Sequence, residues 1–350
     1  MIDIKQYYKG KNVIITGGAG SVGSQLLESL TDFDVNIIRI IDINETALFE
    51  MEQQYSHFPN VEFYYCDICN ETEVFRVFSN MDICFHLASL KHVPSCEKSP
   101  LSAVNTNILG SKVVAAAAMH HKLQKVLFSS SDKACNPTNV MGATKLMVER
   151  LYTAINFLKN SDTKTAFFST RFGNVLGSQG SVIPLFCSQI KKGGPVTLTD
   201  DRMTRFIMSL KQAAGLLIES MYHAIGGEIF ITKMPVVKII DLARVVIDTQ
   251  AALYSFGASD IKLKIIGPRP GEKLWEELST DEEARRIFET DKYLIVTPAL
   301  ISNSSEIYDY KYLKLEPVNT TYHSSKLPSL DLCQIQNYLL ENHIISNKLC

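Results

Sequence analysis

The sequence predicts an α/β protein with a Rossmann-type, doubly wound parallel sheet and a smaller mixed α/β lobe. Three observations lead to this fold class. In the first half, short apolar strands alternate with amphipathic helices, the pattern of parallel strands covered by helices on both faces. A glycine-rich turn at residues 17–23 follows the first of these strands and precedes a helix. After about Gly173 the alternation loosens into shorter strands and Gly/Pro turns.

The elements of the first half follow from apolar runs of strand length and from helical periodicity. Strands are predicted at residues 13–16, 37–42, 61–65, 83–87, 125–129 and 165–171. Helices are predicted at residues 21–30, 45–55, 71–78, 101–121 and 141–160. Ligands of such sheets bind beyond the carboxyl ends of the strands, so the residues directly after each strand are where we look for a site.

The second half has fewer regular elements. Helices are predicted at residues 182–192, 210–222, 239–249 and 330–341, with turns at 193–195 and 267–271 and a polar, turn-rich stretch at 301–329. We therefore expect a cofactor-binding domain over residues 1–175 and a substrate-binding lobe over residues 176–350, which can interleave with the first domain.

The composition limits the possible partners. Charged residues make up 21% of the 350 residues and the net charge is -2, so no bulk attraction to nucleic acid or to a membrane is expected. Residues 1–10 are polar and the longest small-apolar run, residues 113–119, is too short to cross a bilayer. The eight cysteines are scattered, and the lone C-x-x-C of Cys66 and Cys69 is more typical of packing than of a metal site. A soluble, cytoplasmic protein without a metal is expected.

The glycine-rich turn predicts a site for a dinucleotide cofactor. Gly17, Gly20 and Gly23 lie between a strand and a helix. Glycines there let backbone N–H groups approach a pyrophosphate, and the helix N-terminus adds positive potential. Ser21 and Val22 belong to the same turn and are candidates for the same contact.

Residues at the ends of the next strands extend the expected cofactor site. Asp42 ends the second strand, where it can bind the adenosine ribose or remain a solvated residue. Its charge would repel a 2′-phosphate, so NAD is expected rather than NADP. Asp67 and Ile68 end the third strand and are candidates for the adenine side, and Ala88 follows the fourth, where a small residue admits the nicotinamide half. For these last three residues, structural packing or capping is an equal interpretation.

Six segments resemble the extended short-chain dehydrogenase/reductase superfamily. They read TGGAGSVG at 16–23, HLASLKHVP at 86–94, SSDKACNPTNVMGATK at 130–145, RFGNVLGSQGSVIP at 171–184, DDRMTRFIMS at 200–209 and GPRPGEKLWEE at 267–277. Within the superfamily they resemble the UDP-N-acetylglucosamine 4,6-dehydratases of bacterial polysaccharide and glycan synthesis. The chain is similar to the subgroup with methionine, here Met141, in place of the tyrosine of Tyr-x-x-x-Lys. Many members of that subgroup have a membrane-anchored N-terminal region, which is not seen in this sequence.

The resemblance implies roles in a dehydration. Oxidising C4 of the sugar with NAD makes the C5 proton acidic; a base removes it, an acid protonates the departing 6-hydroxyl, and the stored hydride returns to C6. NAD should therefore stay tightly bound. By resemblance Asp132 is the acid and Lys133 the base, while Lys145 holds the nicotinamide ribose. Ser131 is a candidate donor to the sugar's 4-oxygen, and Met141 cannot ionise.

Several points stay open at this stage. Lys133 must be neutral to act as a base, and we expect burial and a nearby cation such as Lys145 to lower its pKa. The C4 hydroxyl proton can pass to Asp132, to Lys145 or to a water relay. Taken singly, Asp132 as a cap and Lys133 as a solvated charge are the ordinary interpretations. Their shared place directly after a buried strand favours catalysis.

Five residues are expected to contact the sugar nucleotide. Lys91 and His92 resemble the family's sugar-contacting turn, and Asn174 resembles an amide that contacts the diphosphate. Arg205 and Arg269 are candidates for the uridine diphosphate because a guanidinium suits phosphate oxygens. For Arg269 the alternative is an ion pair with a nearby glutamate.

The leading hypothesis is an NAD-dependent lyase that converts UDP-N-acetylglucosamine to a UDP-4-keto-6-deoxy-N-acetylhexosamine. A C4 epimerase on the same scaffold, or a catalytically inactive NAD-binding regulatory protein, are the alternatives. The nucleotide (UDP, GDP or dTDP) is not fixed by the sequence. By analogy with the fold, a homo-oligomer formed through the helices at 101–121 and 141–160 is expected.

Overall fold

The computed structural model describes residues 4–158, 164–299, 316–318 and 321–345. The strands among them are β1 (Asn12–Thr16), β2 (Ile37–Asp42), β3 (Val61–Tyr65), β4 (Ile83–His86), β5 (Lys125–Ser131), β6 (Ala166–Phe172), β7 (Asn174–Val175), β8 (Val196–Leu198), β9 (Thr204–Met208), β10 (Ile229–Thr232), β11 (Val236–Lys238), β12 (Leu263–Ile265), β13 (Ile287–Glu289), β14 (Tyr293–Val296) and β15 (Glu316–Val318).

The helices surround these strands. They are α1 (Ile4–Tyr8), α2 (Ser21–Thr31), α3 (Glu45–Gln54), α4 (Glu71–Val77), α5 (Val93–Lys98), α6 (Pro100–Ala103), α7 (Ser111–His120), α8 (Val140–Leu158), α9 (Val182–Lys191), α10 (Leu210–His223), α11 (Ile239–Gln250) and α12 (Leu332–Glu341). A π-helical turn, Val104–Gly110, joins α6 to α7.

The central sheet confirms the predicted fold class. Its strand order is β15-β13-β14-β10-β6-β5-β4-β1-β2-β3. The seven strands from β10 to β3 are parallel, and β14, β13 and β15 extend the sheet in antiparallel fashion. The chain reverses its direction of travel across the sheet between β1 and β4, so their carboxyl ends form the crevice where such folds bind ligands.

Both faces of the parallel sheet are buried. Along β1, Val13 and Ile15 belong to one core cluster, whereas Ile14 belongs to another on the opposite face. This alternation follows from the two-residue period of side chains along a strand. All three side chains are apolar because helices cover the sheet on each side.

The second half of the chain contributes to the same sheet as the first. Strands β10, β13, β14 and β15 all lie beyond residue 175, so the boundary expected there does not divide the sheet. The remaining strands form two small sheets, β11-β9-β7 and β12-β8. Helices α9, α11 and α12 supply side chains to a separate core cluster with these strands. The two parts therefore interleave through the main sheet.

The helix predicted at 101–121 is interrupted in the structure. It runs as α6, then the π-helical turn, then α7. Asn107, in that turn, is buried and binds both the N–H and the carbonyl of Leu90. Such turns often mark functional sites, and apolar periodicity alone does not reveal them. The last two residues of the helix predicted at 141–160 lie outside the described residues.

A buried ion cluster ties β6 to α8 and to the second half of the chain. The Arg171 guanidinium binds both carboxylate oxygens of Glu149 at 2.7 and 2.9 Å, and both of Glu283 at 2.7 and 2.8 Å. All three side chains are 1% exposed. Although burial raises the pKa of Glu283, Arg171 outweighs that effect and the pKa falls to about 2. Removing one partner of such a cluster would leave an uncompensated buried charge.

No helix in the described ranges combines the length and the apolar character needed to cross a bilayer.

Candidate active site

The glycine-rich turn packs so closely that side chains are excluded. Gly17 has a positive φ of +68°, and a Cβ there would lie 2.6 Å from the backbone nitrogen of Ala88. A Cβ at Gly23 would lie 2.6 Å from the Cα of Gly18. The turn is therefore held against the loop after β4 and against the first turn of α2, as a backbone that approaches a phosphate requires.

Helix α2 begins with uncapped backbone donors. Its N-cap residue, Gly20, has no side chain that could accept hydrogen bonds from the first backbone N–H groups of the helix. Ser21 opens the helix and its Oγ accepts a hydrogen bond from Gln179 N at 3.0 Å. Val22 is partly buried and packs against the core. These free donors at a helix N-terminus fit the pyrophosphate of a dinucleotide.

The strand-end residues differ in what they contact. Asp42 accepts hydrogen bonds from Ala19 N at 3.1 Å and Asn44 N at 3.0 Å, so it supports the glycine turn. Asp67 accepts from Cys69 N at 2.9 Å, which is a capping contact. Ile68 is buried in the core, against the π-helical turn. Ala88, after β4, donates its N–H to Thr16 Oγ1 at 3.2 Å.

Asp132 and Lys133 form a short turn at the carboxyl end of β5. Lys133 Nζ lies 2.9 Å from Asp132 Oδ1, and Ser131 Oγ donates to the same oxygen at 2.7 Å. Asp132 is fully buried, and its Oδ2 has no hydrogen-bond partner among the described residues. The Lys133 side chain is 24% exposed. An acid and an amine thus share a hydrogen bond at the ligand edge of the sheet.

A second acidic residue, Glu276, completes this group. Its Oε1 lies 3.5 Å from Lys133 Nζ and 3.7 Å from Arg205 Nε. The Glu276 side chain is 3% exposed. This contact was not predicted from the sequence, where Glu272 and Glu276 are the nearby glutamates expected as alternative ion-pair partners of Arg269. The signal was present in the segment GPRPGEKLWEE, but its glutamates could not be told apart without the fold.

The pKa of Lys133 differs from the expectation. Burial lowers the pKa of Lys133, but the carboxylates of Asp132 and Glu276 outweigh burial and leave the pKa above its ordinary value. The cation that acts against them is Arg205, not Lys145. The expected lowering of the Lys133 pKa is therefore wrong for this arrangement, because two carboxylates face the ammonium.

Lys145 reaches from α8 to the ends of two strands. Its Nζ donates to Ser89 Oγ and to the carbonyl of Ser129, both at 2.8 Å, and it lies 4.6 Å from the centre of the Phe128 ring. Burial lowers the pKa of Lys145 to about 7. Glu149 opposes this shift only in part.

Met141 is a packing residue in this structure. Its side chain is buried in a small apolar cluster with Cys96 and Ala103, and Leu90 and Val93 pack against the cluster. It opens α8 one turn before Lys145. The position therefore supplies shape and no ionisable group.

A chain of buried hydrogen bonds supports the loop after β4. Thr16 Oγ1 contacts His86 Nδ1 at 2.7 Å, His86 Nε2 contacts Ser111 Oγ at 2.8 Å, and Asn107 Nδ2 donates to Thr144 Oγ1 at 2.9 Å. Burial lowers the pKa of His86 to about 3, and Lys145 adds to the effect. His86 is therefore a neutral structural group.

The segment around Gly271 and Lys273 clasps the chain at and after the turn formed by Asp132 and Lys133. Lys273 Nζ donates to the carbonyl of Cys135 at 2.8 Å. Asn139 Nδ2 and Thr138 Oγ1 donate to the carbonyl of Gly271 at 3.0 and 3.2 Å. Residues from the two halves of the chain thus build one site.

The expected sugar-contacting turn lies beside the loop after β7. Lys91 Nζ donates to the carbonyl of Gln179 at 3.2 Å, and burial lowers its pKa. A Cβ at Gly180 would lie 2.7 Å from His92 Cε1. Asn174 has a buried Oδ1 without a hydrogen-bond partner among the described residues, which leaves an acceptor available.

The two arginines have different surroundings. Arg205 is buried and donates to the carbonyls of Thr204, Lys273 and Leu274 at 2.8, 2.8 and 3.1 Å. Its Nη donors are engaged within the protein, so we correct the expected diphosphate contact. Arg205 instead fixes the backbone of the segment at Lys273 and Leu274. The guanidinium of Arg269 is exposed and forms no ion pair with a described residue.

Comparisons with known proteins give the relatives of this chain. A family model described as polysaccharide biosynthesis protein matches residues 13–298. An uncharacterized membrane protein of Methanocaldococcus jannaschii is 46% identical over 322 residues, 90% of this chain and 96% of that protein. A UDP-glucose 4-epimerase of Rickettsia canadensis is 39% identical over 287 residues, 81% of this chain and 82% of that protein.

Solved structures share the fold. The X-ray structure of Pen from Bacillus thuringiensis has a TM-score of 0.89 and 38% identity, covering 97% of this chain and 100% of that chain. The dTDP-glucose 4,6-dehydratase DesIV from Streptomyces venezuelae, solved with NAD bound, has a TM-score of 0.66 and 19% identity over 75% of this chain and 86% of its own. At that identity the likeness to DesIV shows the fold alone.

Proposed function

The chain belongs to the polysaccharide biosynthesis protein family, and we propose that it is an NAD-dependent nucleotide-sugar enzyme, a UDP-N-acetylglucosamine 4,6-dehydratase. One observation carries the proposal. Asp132 and Lys133 form an acid–amine pair at the ligand edge of the sheet, where an epimerase that only moves hydride at C4 needs no such pair.

The residues around the glycine turn fit NAD. Gly17 and Gly20 leave the backbone open to a pyrophosphate, and the carboxylate of Asp42 stands where the adenosine ribose is expected and disfavours a 2′-phosphate. Lys145 is assigned to the nicotinamide ribose. Bound there, NAD supplies reversible oxidation at the sugar's C4.

The acid and the base arise from one proton transfer. The resting pair is a Lys133 ammonium and an Asp132 carboxylate, joined by a 2.9 Å hydrogen bond. Passing the proton from Nζ to Oδ1 gives a neutral amine and a carboxylic acid without changing the net charge. Lys133 then takes the C5 proton, and Asp132 protonates the departing 6-hydroxyl as the C5–C6 double bond forms and water leaves.

The protons balance over a turnover. Two leave the sugar, from the C4 hydroxyl and from C5. Two return, one in the water and one to C5, so the site ends in its starting state. Because Asp132 already holds the proton from Lys133, the C4 hydroxyl proton passes to Lys145 or to a water relay, and burial of Lys145, with its pKa of about 7, makes it a suitable acceptor near neutral pH.

The sugar nucleotide is assigned to the face formed by the loops after β4 and β7. Lys91 and His92 are proposed for the sugar, and the exposed Arg269 for a phosphate of UDP. Asn174 is proposed for the diphosphate through its amide N–H donors, because its unpartnered Oδ1 is an acceptor and cannot hydrogen-bond a phosphate oxygen. Arg205 has no place in this set because its donors are engaged by three carbonyls.

A 4-epimerase is the second candidate, because the 39% identical Rickettsia relative is named as one. The experiment that decides is incubation of the purified protein with UDP-N-acetylglucosamine and no added NAD, followed by mass measurement of the product. Loss of one water supports the dehydratase. An isomer of unchanged mass supports the epimerase, and an unchanged substrate supports a binding protein. Accumulation of NADH with a strict need for added NAD would contradict the closed redox cycle.

We expect the product to keep the D-configuration at C5, as UDP-2-acetamido-2,6-dideoxy-α-D-xylo-hexos-4-ulose. Inversion needs a proton donor on the opposite face, and the buried Met141 offers none. Lys133, which took the C5 proton, is then the donor that returns it to the same face. Proton NMR of fresh product in deuterated buffer tests this, and an L-arabino coupling pattern would contradict it.

A further inference from the structure

Glu276 is a buried carboxylate with one oxygen unused. Its Oε1 is shared between Lys133 Nζ at 3.5 Å and Arg205 Nε at 3.7 Å, while Oε2 is buried with no hydrogen-bond partner among the described residues. A carboxylate taken out of water costs several kcal/mol unless its surroundings compensate it. The burial of Glu276 is therefore not explained by its contribution to stability.

The backbone of Glu276 is held in place by Ser324. Glu276 N donates to Ser324 Oγ at 2.9 Å, and Ser324 N donates to the carbonyl of Glu276 at 2.9 Å. Thr204 Oγ1 lies 2.8 Å from Ser324 Oγ and joins this pair to β9. With the backbone fixed and the side chain 3% exposed, the carboxylate is confined to the buried space beside Lys133.

An ion pair with Arg205 alone does not account for Glu276. The Nη donors of Arg205 are taken by backbone carbonyls at 2.8–3.1 Å. Glu276 forms an ion pair with Lys133 at 3.5 Å and with Arg205 at 3.7 Å, and a hydrogen bond with neither. Lys133 is the nearer cation, and it is bonded to Asp132. Burial raises the pKa of Glu276 and Asp132 adds to this effect, whereas Lys133, Arg205 and Lys273 act in the opposite direction and offset it only in part.

We propose that Glu276 is a positioning residue for the reaction, which holds the Lys133 amino group against Asp132 and sets, by its charge, where the proton shared by Asp132 and Lys133 resides. The inference rests on the proposed dehydration for its role in turnover. The ionic coupling between Glu276 and Lys133 is independent of which reaction the protein performs.

The direction of the effect follows from the charges that face Lys133, which are Asp132, Glu276 and Arg205. The two carboxylates raise the Lys133 pKa against burial and Arg205. Glu276→Gln removes one of them and keeps the shape, so the amine should lose its proton at lower pH. A carboxylate at this range typically changes a pKa by about 1–3 units.

The experiment measures Lys133 directly. Competitive acetylation of the holoenzyme over a pH series, read by mass spectrometry of the Lys133 peptide, gives the midpoint of amine deprotonation. In Glu276→Gln we expect this midpoint about 1–3 pH units below wild type, and in Glu276→Asp a smaller shift. Glu277→Gln is the matched control, because the neighbouring Glu277 contacts Asn136 and His323 instead. The midpoint of Lys133 deprotonation in Glu277→Gln should match that of wild type.

Turnover is then measured on the same variants. The rising limb of the pH profile of kcat should move down with the labelling midpoint in Glu276→Gln. The plateau value of kcat should fall at least about 10-fold, because Lys133 is no longer held against Asp132. Coincident labelling curves for Glu276→Gln and Glu277→Gln would overturn the proposal, as would a labelling shift without a shift of the kcat limb. If Glu276→Gln does not fold, Glu276→Asp carries the same comparison. Failure of the wild type to dehydrate the sugar would instead refute the proposed function.

Discussion

Asp132 and Lys133 are adjacent in sequence and carry opposite charges, and the proton between them decides which of them can act. In the ionised pair neither residue can take its proposed role, since Asp132, the proposed acid, lacks its proton and Lys133, the proposed base, holds one. Their 2.9 Å hydrogen bond provides a direct path to the reactive form. The raised pKa of Lys133 means that this form is a minor one before substrate arrives. Turnover should therefore depend on each partner separately.

Replacing either partner should stop the dehydration and spare the cofactor. We expect Asp132→Asn and Lys133→Ala to lower kcat by about 10²–10⁴-fold, the usual contribution of a general acid or base. Bound NAD, measured after denaturation of the purified protein, should be unchanged. Met141→Ala is the comparison, because its side chain is packed in an apolar cluster. It should lower stability by about 2–5 kcal/mol and kcat far less. Equal losses of kcat in all three would contradict these roles.

The stability of the NAD-free protein should depend on the pH through Lys145. Its pKa is about 7 in the folded chain and 10.5 at its ordinary value. Between these values the unfolded state holds a proton that the folded state lacks, so the free energy of unfolding should rise with pH across the window. Urea unfolding at about pH 7 and pH 9 should show a smaller rise for Lys145→Met than for wild type. Lys112→Met, an exposed lysine on α7, is the control. Equal rises in all three proteins would refute the assignment.

At the scale of elements, the first half of the fold could be predicted because its strands are short apolar runs separated by amphipathic helices. The helix interruption at Val104–Gly110 could not, because it depends on the contact between Asn107 and Leu90. The short α1 and α5 were also missed, since five or six residues give too little periodicity. The periodicity of α8 also does not reveal how closely the start of this helix approaches the turn formed by Asp132 and Lys133.

Gly142 sets that approach. A Cβ at Gly142 would lie 2.1 Å from the carbonyl oxygen of Lys133, so Gly142→Ala must push α8 and the turn apart. We expect a loss of about 1–3 kcal/mol of stability from overpacking and about a 10²-fold fall in kcat from misplacement of the acid–base pair. Gly215→Ala is the matched control in α10, where an added Cβ meets nothing within 4 Å. It should be stabilising by about 1 kcal/mol. A Gly142→Ala enzyme with normal kcat would show that the turn adapts.

At the scale of the molecule, the site depends on contacts between distant parts of the chain. The Asp132–Lys133 pair could be predicted from one motif, but Glu276 and the clasp at Lys273 required the fold that joins the two halves. The same limit explains why a diphosphate contact was expected for Arg205. Its sequence context resembles that of a phosphate-binding arginine, but in the fold its Nη donors are engaged by backbone carbonyls. A local sequence pattern can identify reactive side chains at the end of one strand. It cannot identify the residues that a distant element places beside them in the fold.

Within the described residues, an apolar face on the outer side of the first half has no packing partner. On α8, Met147, Ala154 and Leu158 lie at helical spacing, and Met147 and Leu158 are 55% and 80% exposed. The neighbouring π-helical turn, which packs against α8, adds Leu109 at 48% exposure. Exposed side chains of this size on adjacent helical elements are typical of an interface. A second copy of the chain can cover the face by an isologous contact, which pairs α8 with its own counterpart.

We therefore predict a homo-oligomer assembled through α8. Light scattering after size exclusion should give at least twice the monomer mass for wild type. Met147→Asp places a charge in the middle of the apolar face, where it would be desolvated without a partner, and should yield monomers. Leu332→Asp is the control, because Leu332 is 46% exposed on α12, away from this face. Since α8 also carries Lys145 and begins beside Lys133, loss of the interface should lower kcat along with the mass. A monomeric wild type, or a Met147→Asp variant that keeps the wild-type mass, would show that this face has another purpose.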